Sequence, residues 1–257
     1  MEILKIIIIC FLAGAGAGIG TGFAGMSAAA VIGPILVTFL NIPAYDAIGV
    51  GLISDVLASA SSAYTYKKHG NLNIRKSVPM MIAVLTFTVV GSFVSKFVPE
   101  HTMSGAMQIS MIIIGLRFLI IAYKKKKDTK TEKSDKNQMI KSVIGGALVG
   151  FICGFVGAGG GMMMLFVLTT FLGYKTHDAV GTSVFIMTFT ALTGGISHFI
   201  IGGVSNLTVL VLCVIFTLIW AKIAAVIANK TETKTLNKIV GILMILTGIA
   251  ILIFNFI

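Results

Sequence analysis

The residues in this chain with the most capacity for chemistry are glycines. The stretch "GFVGAGGGMMM" (residues 154–164) sets Gly157, Gly159, Gly160 and Gly161 between two segments that read as apolar helix. Each glycine disfavours a helix interior by roughly 1 kcal/mol relative to alanine, so a helix entering this run should end in it. A helix restarting beyond the break has first-turn N–H groups with no intrahelical partner, and the positive end of its dipole faces the gap. Such a terminus suits an oxyanion. Gly25, Met26 and Ser27 form a second, shorter break of the same kind. Thr182 and Ser183 in "AVGTS", with the carboxyl of Asp55, complete the candidate set. Together these residue types support anion binding by amides and hydroxyls, beside one group able to take up and release a proton.

Other chemistries lack their residues. The sequence has no HExxH, no GxSxG and no Walker motif, which argues against an enzyme or an ATP-driven machine in this chain. His69, His101, His177 and His198 show no metal-ligand spacing and read as solvated or capping residues, so no metal is expected. Cys10, Cys153 and Cys213 lie inside apolar stretches far apart and read as small core residues.

The elements that must position the candidate site are membrane helices. Hydrophobic residues make up 56% of the 257, charged residues 11%, and the mean hydropathy is +1.01, which is outside the range of water-soluble domains. Several apolar stretches approach the roughly 20 residues that cross a bilayer core as a helix. The expectation is an all-α, polytopic protein of the cell membrane. Its net charge of +11 does not point to nucleic acid, because the lysines fall in short loops between spans.

The chain also repeats itself. Residues 14–49 set above residues 146–181, at a constant offset of 132, agree at 13 of 36 positions. This predicts two copies of one unit, residues 1–123 and 139–257, joined by a basic cytoplasmic linker at 124–138. Equivalent loops carry opposite lysine content, and four loops hold sixteen of the 20 basic residues. The positive-inside rule then places equivalent loops on opposite faces, so the copies are inverted. Five helical segments per copy are expected, at 3–22, 27–41, 47–66, 78–97 and 104–123, then 140–156, 161–173, 179–201, 207–228 and 239–256. The second of each set is too short to need to span, and the breaks before them fall near the midplane. An N-terminal leader is disfavoured, since the opening segment has a partner in mid-chain.

Gly14, Gly18 and Gly22, like Gly146, Gly150 and Gly154, recur every fourth residue and predict close helix packing. Most hydroxyls of the third and eighth segments should back-bond to their own helices. Asp55 falls near the middle of the third segment, and its counterpart by offset is Met187. A carboxyl at membrane depth is a functional hypothesis by default, here proton coupling, with an ion pair to Arg117 or Lys222 as the structural alternative.

At "GFVGAGGG" and "AVGTS" the sequence resembles the sulfite exporter TauE/SafE family of membrane transporters. The first copy departs from the pattern, with "GFAGMSAAAVIGPIL" and "IGVGLIS" at the matching places, and Phe166 stands where the family often has proline. The resemblance spans the chain through its repeat. It implies secondary transport of a small inorganic or organic sulfur oxyanion, sulfite or an organosulfonate, across the cytoplasmic membrane, with no bound cofactor. Alternating access by rocking of the repeats is the expected mechanism, and an anion channel is the second reading.

Overall fold

A computed structural model describes residues 2–72, 74, 78–99, 135–156, 160–170, 172–174, 176–202 and 206–232, with scattered helical positions at 109–120 and 234–249. The fifth segment of each copy, at 104–123 and 239–256, therefore lies outside the described residues apart from those scattered positions, as do Arg117, Gly157 and Gly159. Eight helices carry the fold: α1 (Glu2–Ala24), α2 (Ala29–Leu40), α3 (Ala44–Lys68), α4 (Val78–Ser95), α5 (Asp135–Val156), α6 (Gly160–Thr170), α7 (Thr176–Gly202) and α8 (Leu207–Ala228). No strand occurs among the described residues. Among the described residues five helices, α1, α3, α4, α7 and α8, are long and apolar enough to cross a membrane. With 12 and 11 residues, α2 and α6 reach only about 16–18 Å at 1.5 Å per residue.

Local sequence explains the ends. Gly25 closes α1 in the left-handed region (φ 62°), with its N–H bonded back to the Thr21 carbonyl at 3.0 Å. Asn41 closes α2 in the same region (φ 51°), which asparagine tolerates better than most side chains. Asn206 opens α8 by accepting from the Val209 N–H at 3.1 Å. Helix α5 begins earlier than expected, at Asp135, so the last residues of the 124–138 linker are already helical.

Glycine decides which helices meet. The stripe Gly14, Gly18, Gly22 lays α1 on α8: a Cβ at Gly18 would stand 2.6 Å from the Thr217 carbonyl oxygen, and one at Gly22 would strike that of Ala221. The stripe Gly146, Gly150, Gly154 lays α5 on α4 in the same way, against the carbonyls of Met80, Val84 and Thr88. Close backbone approach is what small residues allow between membrane helices, where dispersion must replace the hydrophobic effect.

Helices α3 and α7 run antiparallel through the middle. Gly49 faces His198 and Phe199, Ile53 faces Gly195, and Tyr66 faces Gly181. Contacts pair off when α1–α4 are exchanged with α5–α8: α1 on α8 matches α5 on α4, α3 on α8 matches α7 on α4, and α2 on α3 matches α6 on α7. The side chains turned outward are apolar, among them Leu4, Leu148, Ile200 and Leu207, each more than half exposed. That is the surface a bilayer requires.

Candidate functional site

The two helix breaks meet. A Cβ on Gly161, in the first turn of α6, would strike the carbonyl oxygen of Gly25, and a Cβ on Gly25 would stand 2.8 Å from the Ser183 hydroxyl. Gly25, Gly160, Gly161, Met26, Ser27, Thr182 and Ser183 are all buried. Gly25, Gly161, Ser183, Ser27 and Asp55 thus meet at one junction, with Thr182 buried beside Ser183 in the chain. Only glycine permits this approach, because any side chain at 161 would separate the broken backbones.

Asp55 reaches the junction from α3 and is fully buried. The Thr21 hydroxyl lies 3.4 Å from Oδ1, and the Ser27 hydroxyl and Ala28 N–H, at the start of α2, also face the carboxyl. Asp55 therefore sits where the amide end of α2 opens. Oδ2 is buried with no hydrogen-bond partner among the described residues. No ion pair to Asp55 occurs among them either, and Lys222, the candidate within the described set, is exposed.

The opposite terminus is dressed differently. Met187 Sδ would stand 2.8 Å from a Cβ on Gly161, and Cys153 Sγ 3.0 Å from one on Gly160. Asp55 and Met187 are each the twelfth residue of their helix, and their offset is again 132. Thr21 and Cys153 stand in the same relation. The amide end of α2 is thus faced by a carboxyl and a hydroxyl, and that of α6 by a thioether and a thiol. Cys153 is within electrostatic reach of Asp55, so the two ends share one neighbourhood.

The hydroxyls mostly behave as expected. Ser54, Ser59, Ser62, Thr188, Thr190 and Ser197 donate to carbonyls of their own helices at 2.5–3.0 Å. Ser183 donates to the Val180 carbonyl at 2.9 Å, which leaves its lone pairs, not its proton, toward Gly25. Thr21 was not singled out from the sequence. Its hydroxyl donates to the Met26 carbonyl at 2.8 Å, bridging the broken chain.

Tyr66 was likewise not singled out, and His198, expected to be solvated or capping, has a partner that was not foreseen. Tyr66 Oη stands 3.4 Å from the Gly22 and Phe23 carbonyls at the end of α1, and His198 Nε2 stands 2.8 Å from the Gly154 carbonyl at the end of α5. The offset pairs Gly22 with Gly154 inside the aligned window, and extending it beyond the window pairs Tyr66 with His198, the one signal that could have found them.

Comparison with known proteins places the chain among membrane transporters. The profile of one family, described as Sulfite exporter TauE/SafE, matches residues 10–251. The chain is similar to the probable membrane transporter protein YunE of Bacillus subtilis (strain 168), 28% identical over 244 residues that cover 90% of this chain and 89% of the relative. It is 26% identical to YdhB of the same organism, also a probable membrane transporter protein, over 97% of this chain and all of the relative. A probable membrane transporter protein of Haemophilus influenzae is 29% identical over 78% of this chain and 76% of its own length. No solved structure matches the chain.

Proposed function

Because the chain belongs to the sulfite exporter TauE/SafE family and is a multi-pass membrane transporter rather than an enzyme, we propose that it carries a small sulfur-containing oxyanion, sulfite or an organosulfonate, across the cytoplasmic membrane by alternating access. The observation that carries this reading is the contact of Gly161 with the Gly25 carbonyl, which brings two broken helices against the middles of α3 and α7. In this reading residues 1–123 and 139–257 are inverted copies, and residues 124–138 tie them together on the cytoplasmic side.

The anion rests on the first-turn amides of α6, at Gly160 and Gly161, and Gly157 and Gly159, which lie outside the described residues, belong to the same proposed site. Thr182 and Ser183 line its flank, and the break at Gly25, Met26 and Ser27 forms the facing wall. Asp55 couples the step to a proton. An ionised carboxylate in this water-poor neighbourhood repels a second anion, and the neutral acid does not. The Thr21 hydroxyl already spends its proton on Met26, so its lone pairs can accept from a protonated Asp55. Proton and anion then move together.

The test is uptake into proteoliposomes with sulfite, sulfate, thiosulfate, sulfoacetate and chloride competing. Saturable uptake with counterflow, in which a sulfur oxyanion displaces chloride, is the expected result. Linear flux with single-channel current overturns it in favour of a pore, and an equal response to every anion removes the sulfur oxyanion.

A further inference from the structure

The end of α5 is held by a residue whose role at the end of α1 is taken by a different chemistry. A carbonyl oxygen carries no proton, so the 2.8 Å contact requires that His198 Nε2 donate to Gly154. In the neutral ring Nδ1 is then a bare acceptor, and it is buried without a hydrogen-bond partner among the described residues. The ring is 1% exposed and lies against the Tyr45 ring at a centroid separation of 4.3 Å, with the Tyr45 backbone within reach. Its counterpart by offset, Tyr66, reaches the Gly22 carbonyl through a phenol that stays protonated at physiological pH.

We infer that His198 is a proton-binding site on the second repeat, separate from Asp55, whose charging strengthens the clasp on the end of α5 while the matching Tyr66 clasp on α1 stays constant. Protonation turns Nδ1 from a bare acceptor into a donor and sets a positive charge at the carbonyl end of α5. Gly154 lies in the last described turn of α5, and the carbonyl end of a helix favours a cation. The proton binds reversibly at the Nδ1 lone pair, and no other bond changes.

The groups around the ring leave room for this charge. From α3 come the Tyr45 phenol and, one residue on, the Asp46 carboxylate, which lies within electrostatic reach of Tyr45. From just beyond α4 comes Lys96, whose Nζ donates to the Ile201 carbonyl at 3.0 Å, three residues beyond His198. The Ser92 hydroxyl of α4 adds a 3.4 Å contact to the Gly154 carbonyl. From α5 comes the Cys153 thiol, next to Gly154, and α6 presents no titratable side chain among the described residues.

This inference shares the inverted-repeat reading proposed above but not its substrate, so its first test needs no transport. The full chain with His69, His101 and His177 replaced by glutamine, labelled with ¹⁵N-histidine and held in lipid nanodiscs, reports His198 alone by NMR. The expected result is the Nε2–H tautomer at alkaline pH, passing to imidazolium as the sample is acidified within the range where the protein stays folded. A ring that remains neutral throughout while the protein stays folded, or that shows the Nδ1–H tautomer, overturns the inference. His198→Tyr installs the clasp found on α1. In liposomes that variant should flatten the part of the pH response that survives Asp55→Asn. An unaltered response in the double variant, with an NMR titration present, assigns the proton to structure and overturns its coupling to the clasp.

Discussion

At the first break the amide end of α2 is faced by the Asp55 carboxyl, and at the second the amide end of α6 is faced by the Met187 thioether and the Cys153 thiol. The backbone plan is shared and the company is not. One terminus has an anion tethered to its own chain, held by residues the protein supplies. The other has neutral, polarizable sulfur beside it and no carboxyl among the described residues. In the proposed reading a free anion meets a rival in Asp55 at the first terminus and none at the second. The difference teaches how matched backbones can carry unlike side chains: both breaks supply an amide end, and only the first sets a carboxyl beside it among the described residues.

The comparison can be broken most severely at the contact itself. Gly161→Ala sets a methyl group against the Gly25 carbonyl, where backbone meets backbone and neither can turn aside. Overpacking of this kind costs about 1–3 kcal/mol, so uptake should be lost and the melting temperature in detergent should fall. Gly160→Ala meets only the Cys153 side chain and should lower both far less.

Asp55→Asn should act on the coupling rather than the fold. If the ionised carboxylate is what excludes the anion, the amide mimics the protonated acid, so uptake at alkaline pH should rise toward the acid-pH level, leaving only the smaller pH response assigned to His198. Exchanging the two partners, Asp55→Met with Met187→Asp, sharpens this test, because pH sensitivity should return with the carboxyl at the other terminus. A pH profile in Asp55→Asn identical to that of the parent removes Asp55 from the mechanism.

Ser183→Ala tests the flank. The hydroxyl donates within its own helix, so stability should scarcely move, while the loss of its lone pairs beside Gly25 should alter apparent affinity by a factor consistent with about 1 kcal/mol. The smallest effect is expected for Tyr66→Phe, which removes two 3.4 Å contacts and should shift stability by about 0.5–1 kcal/mol, measured by thermal melting, with the pH profile preserved.

Much of this frame was readable from the residues. The helices begin and end within a few residues of the expected bounds, because glycine, proline and charge punctuate apolar stretches sharply. The stripes at Gly14 and Gly146 were legible as packing faces, but the helices they would meet were not, since partner choice depends on the path of the chain. For the same reason Cys10 and Cys213, 203 residues apart in sequence, turn out to adjoin across the α1–α8 contact. Asp55 was legible as a buried carboxyl, and its position at the mouth of α2 was not, because burial partners come from other helices. Helix α2 starts at Ala29 rather than residue 27, since the turn at Gly25 uses the residues between. His198 read as a capping residue, and the carbonyl it caps lies 44 residues away.

The glycine stripes have one mechanical result. They fasten the first helix of the chain to α8 and the fourth to α5, so each tight helix pair is built from both halves of the polypeptide. The bodies that could tilt against one another are hybrids, and α3 with α7 would serve as the axle between them. A chain severed in its basic connector should therefore behave as two fragments that each need the other: silent when produced singly, and restored when produced together.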